Sequence, residues 1–335
     1  MIALRAFAVL TALVLAAVVA QPAAAGKFHG VVPQGPLNAG DFERMGQGDV
    51  GTLRIIVGYQ RSAPYSWGSL DSLIGGAAGN GVRVIPAVVS AKQSGTDRPP
   101  TSRKARKAYA RFTGAMADRY GRGGAFWSGG PDRFAISSWQ IMNEQNGPAY
   151  WGARPNPRKY AKLLKAASKS ITRADRRAEI VLGGMFSTPS GRGAINSWSY
   201  LRKLYRARGV KRAFDTVALH PYSPNLRGIK RHVGLVRGVL RNAGDARAGL
   251  RITEFGWGSA KRGNLNKGRK GQARMLTKAF RLFKQKRGAW NVKGANWFAW
   301  EDNPGGACSF CPTAGLFTAG EEEKPSWRAF KRVSG

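Results

Sequence analysis

Trp139-Gln-Ile-Met-Asn-Glu144-Gln-Asn146 and Leu250-Arg-Ile-Thr-Glu254-Phe-Gly-Trp257 each carry a short, largely apolar run into a glutamate. Each run reads as a buried strand. A carboxylate closing such a strand emerges at its C-terminal end, where parallel α/β folds gather their chemistry. The chain holds 55 Lys and Arg against 18 Asp and Glu, so two acidic residues in such positions call for a joint explanation.

Outward from these two runs, strand-like and helix-like stretches alternate. The expected strands are Phe28 to Val32, Thr52 to Val57, Val82 to Val89, Ser138 to Asn143, Glu179 to Gly184, Phe214 to His220, Leu250 to Glu254 and Ala295 to Trp300. Amphipathic stretches lie between them: Arg103 to Tyr120, Pro157 to Arg173, Trp198 to Arg208, Leu226 to Asn242 and Gln272 to Lys286. In the last, Met275, Leu276, Ala279, Phe280 and Phe283 share one helical face. Pro325 to Val333 reads as the eighth helix. An alternating series of eight closes naturally into a parallel barrel, so the expected fold is α/β, a single (β/α)8 TIM barrel. An open doubly wound sheet would announce a Gly-rich phosphate turn after its first strand, which Phe28-His-Gly-Val-Val-Pro33 lacks. The loops from Ser90 to Thr101 and from Asn143 to Pro157 are long, follow strand ends, and are expected to line the barrel mouth.

The N-terminus shows a lone cation, Arg5, an apolar run from Ala6 to Ala20, then Gln21-Pro-Ala-Ala-Ala25. This reads as a secretory signal peptide over residues 1–25, and the run falls short of the roughly 20 residues of a spanning helix. Taking 25 from 335 leaves 310 residues, 26–335, for one catalytic barrel domain, expected to be a secreted or wall-associated monomer. In an oxidising compartment Cys308 and Cys311 are expected to form a local disulfide pinning the loop from Gly305 to Gly315. A redox C-x-x-C would open a helix instead of sitting in a Pro/Gly loop. A zinc site would need two further ligands, and His29, His220 and His232 show no ligand spacing. No metal or cofactor is implied.

The formal charge of +37 implies attraction to polyanions. The cations are spread along almost every helix, as in Arg103-Lys104-Ala-Arg106-Lys107, which suits a solvated outer ring. No nucleic-acid-binding motif accompanies them, so anionic cell-wall polymers are the more plausible electrostatic partner.

Two carboxyl groups flanking a glycosidic bond can supply acid catalysis and nucleophilic attack. Glu144 suits the acid and Glu254 the nucleophile, with Arg54 and Tyr222 as candidate partners that keep Glu254 ionised. Either glutamate alone reads equally well as a buried salt-bridge partner. Asn143 would hydrogen-bond a sugar hydroxyl, or simply start a loop. His220 would orient an acid or a hydroxyl, or serve as a packed structural group. Trp257, Trp300 and the Tyr150-Trp151 pair are candidate sugar platforms, because carbohydrate faces are apolar. Nucleophile-elbow, zincin-helix, Walker and nicotinamide signatures are absent.

On these residues the chain resembles clan A glycoside hydrolases, the retaining (β/α) barrel group with cellulase-like and β-xylosidase-like families. The likeness covers Leu53-Arg54, the Tyr120 to Trp127 stretch, Asn143-Glu144, His220 with Tyr222, Glu254, Trp300, and the run from Gly315 to Phe330. The resemblance implies Glu144 as acid/base, Glu254 as nucleophile, Asn143 as substrate ligand, Arg54 and Tyr222 as partners of the nucleophile and Trp300 as a sugar platform. The third strand ends Ala87-Val-Val-Ser90, without the histidine or asparagine some clan members place there, and the Cys308-Ser-Phe-Cys311 loop is not a general feature of the clan. The expectation is therefore a secreted retaining glycosidase with a carbohydrate substrate and open sugar specificity. A non-catalytic cationic polysaccharide-binding protein and a transglycosylase are the alternatives.

Overall fold

The structure is a computed structural model that describes residues 28–90, 99–130, 132–152, 154–188 and 191–335. The segment read as a signal peptide lies outside the described residues, as does most of the loop after the third strand. Strands β1 (His29–Val32), β2 (Thr52–Gly58), β3 (Arg83–Val89), β4 (Ser138–Asn143), β5 (Glu179–Phe186), β6 (Thr216–His220), β7 (Gly249–Phe255) and β8 (Val292–Phe298) pair in parallel in chain order. β8 returns to β1, with Gly30 opposite Asn296, and closes the barrel.

The outer ring is α1 (Ala39–Gln47), α2 (Gly68–Gly79), α3 (Arg103–Tyr120), α4 (Pro148–Trp151), α5 (Pro157–Ala174), α6 (Ser197–Tyr205), α7 (Leu226–Asn242), α8 (Gly268–Gln285), α9 (Arg287–Trp290) and α10 (Pro325–Ser334). Five of these start on a capping side chain: Asn38, Ser102, Asn156, Asn196 and Asn225 each accept from the backbone N–H three residues on. Each such cap contributes about 1 kcal/mol by satisfying a donor the helix leaves open. On α5, Tyr160, Leu163, Leu164, Ala167 and Ile171 face the barrel, while Lys162, Lys165 and Lys169 are exposed. The basic residues of this helix thus occupy its solvated face.

Two buried phenols fasten helices to strand ends. Tyr109 of α3 donates to Val88 O at 2.6 Å, and Tyr160 of α5 donates to Ile141 O at 2.9 Å while accepting from Gly183 N at 2.8 Å. Tyr160 so ties β4 to β5 just below the site.

One sequence expectation shifts: β8 ends at Phe298, so Trp300 lies beyond the strand instead of closing it. α2 is a complete helix that carries four glycines. One of them is required by packing, since a Cβ on Gly76 would lie 2.7 Å from the Phe42 ring.

At the N-terminal end of the barrel Glu179 gathers Arg251 (Nη2 to Oε2, 2.7 Å), Ser138 (Oγ to Oε2, 2.6 Å) and Thr216. Burial pushes the Glu179 pKa up, but Arg251 and the two hydroxyl donors outweigh it and hold the carboxyl below its ordinary value. A depressed carboxyl pKa contributes stability that is present at neutral pH and lost as pH falls through the folded-state value. Arg251→Ala is therefore expected to lower unfolding free energy by about 3 kcal/mol at pH 7. In urea titrations the deficit should shrink once acid protonates Glu179; an equal deficit at pH 7 and in strong acid would contradict this role.

Candidate active site

The C-terminal mouth of the barrel is built outward from Arg54, which is 0% exposed in the middle of β2. A buried guanidinium must have its donors matched. Nε donates to Gln140 Oε1 at 2.9 Å, Nη2 to Asn143 Oδ1 at 2.6 Å and Nη1 to Glu254 Oε1 at 2.7 Å. Gln140 is itself held, donating to Met142 O at 2.9 Å. The second oxygen of Glu254 accepts from the Tyr222 hydroxyl at 2.9 Å. Burial, and then the charge of Glu254, raise the Tyr222 pKa well above its ordinary value, so the phenol is a lasting donor.

Glu144 sits opposite with a different set of partners. His220 Nδ1 is 2.8 Å from Glu144 Oε1 and 3.5 Å from Glu254 Oε2, and its Nε2 is 3.0 Å from Thr253 Oγ1. Because the threonine hydroxyl both donates and accepts, this chain serves either state of Glu144. An ionised Glu144 accepts from Nδ1–H while Thr253 donates to Nε2; a protonated Glu144 donates to Nδ1 while Nε2–H donates to Thr253. Tyr150 of α4 also reaches Glu144. The Glu144 charge first, then burial, then Glu254 keep the Tyr150 phenol protonated far above neutral pH. Tyr150 remains 40% exposed, so the rest of its ring faces the mouth.

Backbone geometry delivers these side chains. Met142 and Glu144 adopt φ of 68° and 44°, left-handed conformations that cost about 1 kcal/mol or more each for non-glycine residues. They flank Asn143, and the twist brings both Asn143 and Glu144 to the rim in place of opposite faces. Gly184 instead keeps space open, since a Cβ there would lie 2.2 Å from His220 Nε2. One oxygen of each glutamate and one nitrogen of His220 all lie within 4.8 Å of one another. Such a trio could in principle ligate a cation, but Glu254 already has a guanidinium on one oxygen and a phenol on the other. For the carboxylates themselves, retaining glycosidases use a separation of roughly 5–5.5 Å.

Three expected sugar platforms lie elsewhere: Trp151 of α4 is 1% exposed and packs edge-on against Tyr160, and the other two are indoles enclosed near the ends of β7 and β8. Trp300 is 1% exposed, donates Nε1–H to Asp41 Oδ1 at 2.8 Å and packs on Phe317 and Trp327. Trp257 is also 1% exposed and donates to Ser223 O at 2.8 Å. Both indoles have their N–H groups satisfied inside the protein and offer no face to a ligand. The half-buried aromatic ring at the end of β8 is Phe298, whose peptide bond to Ala299 is cis and whose ring meets Tyr222 edge-on at 6.2 Å. Phe310, between Cys308 and Cys311, packs on Tyr222 at 5.2 Å, and these cysteines form the expected disulfide. Gln140, Thr253, Phe298 and Phe310 were not among the expected site residues. Gln140 and Thr253 did show a signal, as polar residues inside otherwise apolar strands.

No protein-family model and no curated protein matches the sequence. In structure the chain is similar to a family 39 glycoside hydrolase from the gut symbiont Bacteroides cellulosilyticus WH2, with TM-score 0.68 and 16% identity over 91% of this chain. It is similar to a glucosidase from Croceicoccus marinus, with TM-score 0.71 and 14% identity over 92% of this chain. It is also similar to a fungal β-1,4-galactanase, with TM-score 0.65 and 14% identity over 91% of this chain and 99% of that one. The chain spans 63% of the family 39 enzyme and 67% of the glucosidase. At such identities the likeness shows a shared barrel, the fold that the resemblance to clan A implied.

Trp300→Ala should cost about 3–5 kcal/mol of unfolding free energy, as for a buried tryptophan. A sugar platform would instead leave the urea midpoint unchanged and weaken only ligand binding.

Proposed function

We propose that the protein is a retaining glycoside hydrolase acting on an oligo- or polysaccharide. The carrying observation is the convergence of two carboxylates with unequal surroundings. Glu254 is locked to a buried guanidinium and a phenol; Glu144 meets an imidazole, a phenol and, across the gap, the negative charge of Glu254.

That asymmetry supports a division of labour. Glu254 Oε attacks the anomeric carbon as the bond to the leaving oxygen breaks, and Glu144 delivers its proton to that oxygen. Arg54 and Tyr222 hold the attacking oxygens in place. Glu144, now ionised, takes a proton from water, which attacks the same carbon and releases Glu254. The His220–Thr253 chain accommodates Glu144 in both states without moving a heavy atom. Half-buried Phe298, beside Tyr222, is proposed to face the sugar held there. Asn143, already turned toward the rim, is proposed as a hydroxyl ligand. We further propose, from the sequence of residues 1–25, that the protein is exported and is secreted or wall-associated.

A slow 2-deoxy-2-fluoro glycoside from an aryl glycoside panel is expected to label the peptide carrying Glu254. Glu254→Gln should lose roughly 10³-fold or more on every substrate. Glu144→Gln should lose about 10²–10⁴-fold on poor leaving groups and far less on activated aryl glycosides, which need little protonation. Full activity of Glu254→Gln on a natural glycan would refute the assignment. Salt-sensitive polymer binding without turnover by the unaltered protein would favour a cationic binding protein, and transfer to a sugar in preference to water would make it a transglycosylase.

A further inference from the structure

Beside Tyr222 lies an open cavity, about 350 Å³ in volume. It is walled by Thr188 after β5, by the β6–α7 loop from Tyr222 to Asn225, and by Arg227, Arg231 and His232 of α7. Tyr222 is common to both places: its hydroxyl donates to Glu254 and its residue borders the cavity.

The charge of this space is one-sided. No carboxylate lines it, and among the described residues neither Arg227 nor Arg231 has an ion-pair partner. Four residues apart on α7, the two guanidiniums lie on the same helical face. Arg227 stands in the first turn, where the helix dipole disfavours a cation, so the helix itself supplies no reason for it. Its backbone is firmly set: a Cβ on Gly228 would lie 1.8 Å from Ser223 Oγ, so this turn and the loop bearing Tyr222 form one packed unit. His232 stacks on Trp198 and is held below its usual pKa by burial and by Arg231, which leaves the positive charge to the arginines.

We propose that this cavity is a subsite for an anionic substituent, a carboxylate or a sulfate ester, on the sugar adjoining the one held over Glu254. The proposal rests on the glycoside hydrolase reading of the carboxylate pair and names its substrate class as an acidic glycan. Arg227 and Arg231 are solvent-exposed, and their guanidinium forks match the paired oxygens of carboxylate and sulfate, which a neutral hydroxyl does not offer. The net charge of +37 attracts any polyanion, so the test must separate this subsite from the general field.

Glu254→Gln protein, which leaves ligands intact, is titrated calorimetrically at about 0.15 M salt, where exposed charges more than roughly 8 Å apart are largely screened. The ligands are oligosaccharides of glucan, xylan and galactan backbones, each in neutral, uronate-bearing and sulfated forms. In at least one backbone an acidic form should bind tenfold or more tighter than the neutral one. Arg227→Ala with Arg231→Ala should abolish that preference, while Arg202→Ala with Lys203→Ala on the exposed face of α6, an equal change of charge, should preserve it within twofold. The uronate and sulfate arms show which anion is read. No acidic preference in any backbone, or equal loss in both double variants, overturns the subsite. Turnover of neutral aryl glycosides by the Arg227→Ala, Arg231→Ala protein with Glu254 intact scores the hydrolase reading on its own. Turnover without charge preference defeats only the subsite, and charge preference without turnover defeats only the hydrolase reading.

Discussion

The buried guanidinium of Arg54 is the constraint from which the mouth of the barrel is organised. A cation removed from water is tolerated only when its donors are met and its charge is opposed. Here the partners come from two other strands: Gln140 and Asn143 on β4, and Glu254 on β7. β2, β4 and β7 must therefore hold their relative heights for Arg54 to be buried at all. The position of Glu254 is fixed by a requirement of the interior, and its reactivity is a product of the same requirement.

Glu144 is held by a softer arrangement. Its contacts are to groups that give or take a proton by rotating a hydroxyl or switching a tautomer. Strain does the positioning that a salt bridge does for Glu254, through left-handed backbone at Met142 and Glu144. One carboxylate is thus pinned by charge and the other by backbone, a division suited to a group that must remain ionised and a group that must change state.

Much of this was legible because it lies in local pattern. Apolar runs of strand length ended in Glu144 and Glu254, and the scarcity of acids made the coincidence informative. The aromatic assignments failed for a physical reason. An indole near a strand end can face the mouth or the core, and the choice depends on where its N–H finds an acceptor. For Trp300 that acceptor is Asp41 on α1, 259 positions away, and no local signal points to it. The apolar run through Ala295-Asn-Trp-Phe-Ala-Trp300 also gave no sign that the strand stops at Phe298. Gln140 and Thr253 were visible as polar residues in apolar strands, but their roles exist only once barrel closure puts Arg54 of β2 within reach of β4 and pairs β6 with β7.

The loop closed by Cys308 and Cys311 stands apart from the main core. Phe310, Ala299 and Ala314 form a small cluster of their own, against which Tyr222, Phe298 and Leu265 rest. The inner side of Tyr222 thus answers to the barrel through Glu254, and its outer side answers to a short staple that contributes roughly 2 kcal/mol at most. The closure of the strands around Arg54 and the backing behind the phenol of the nucleophile therefore rest on two separate clusters of side chains.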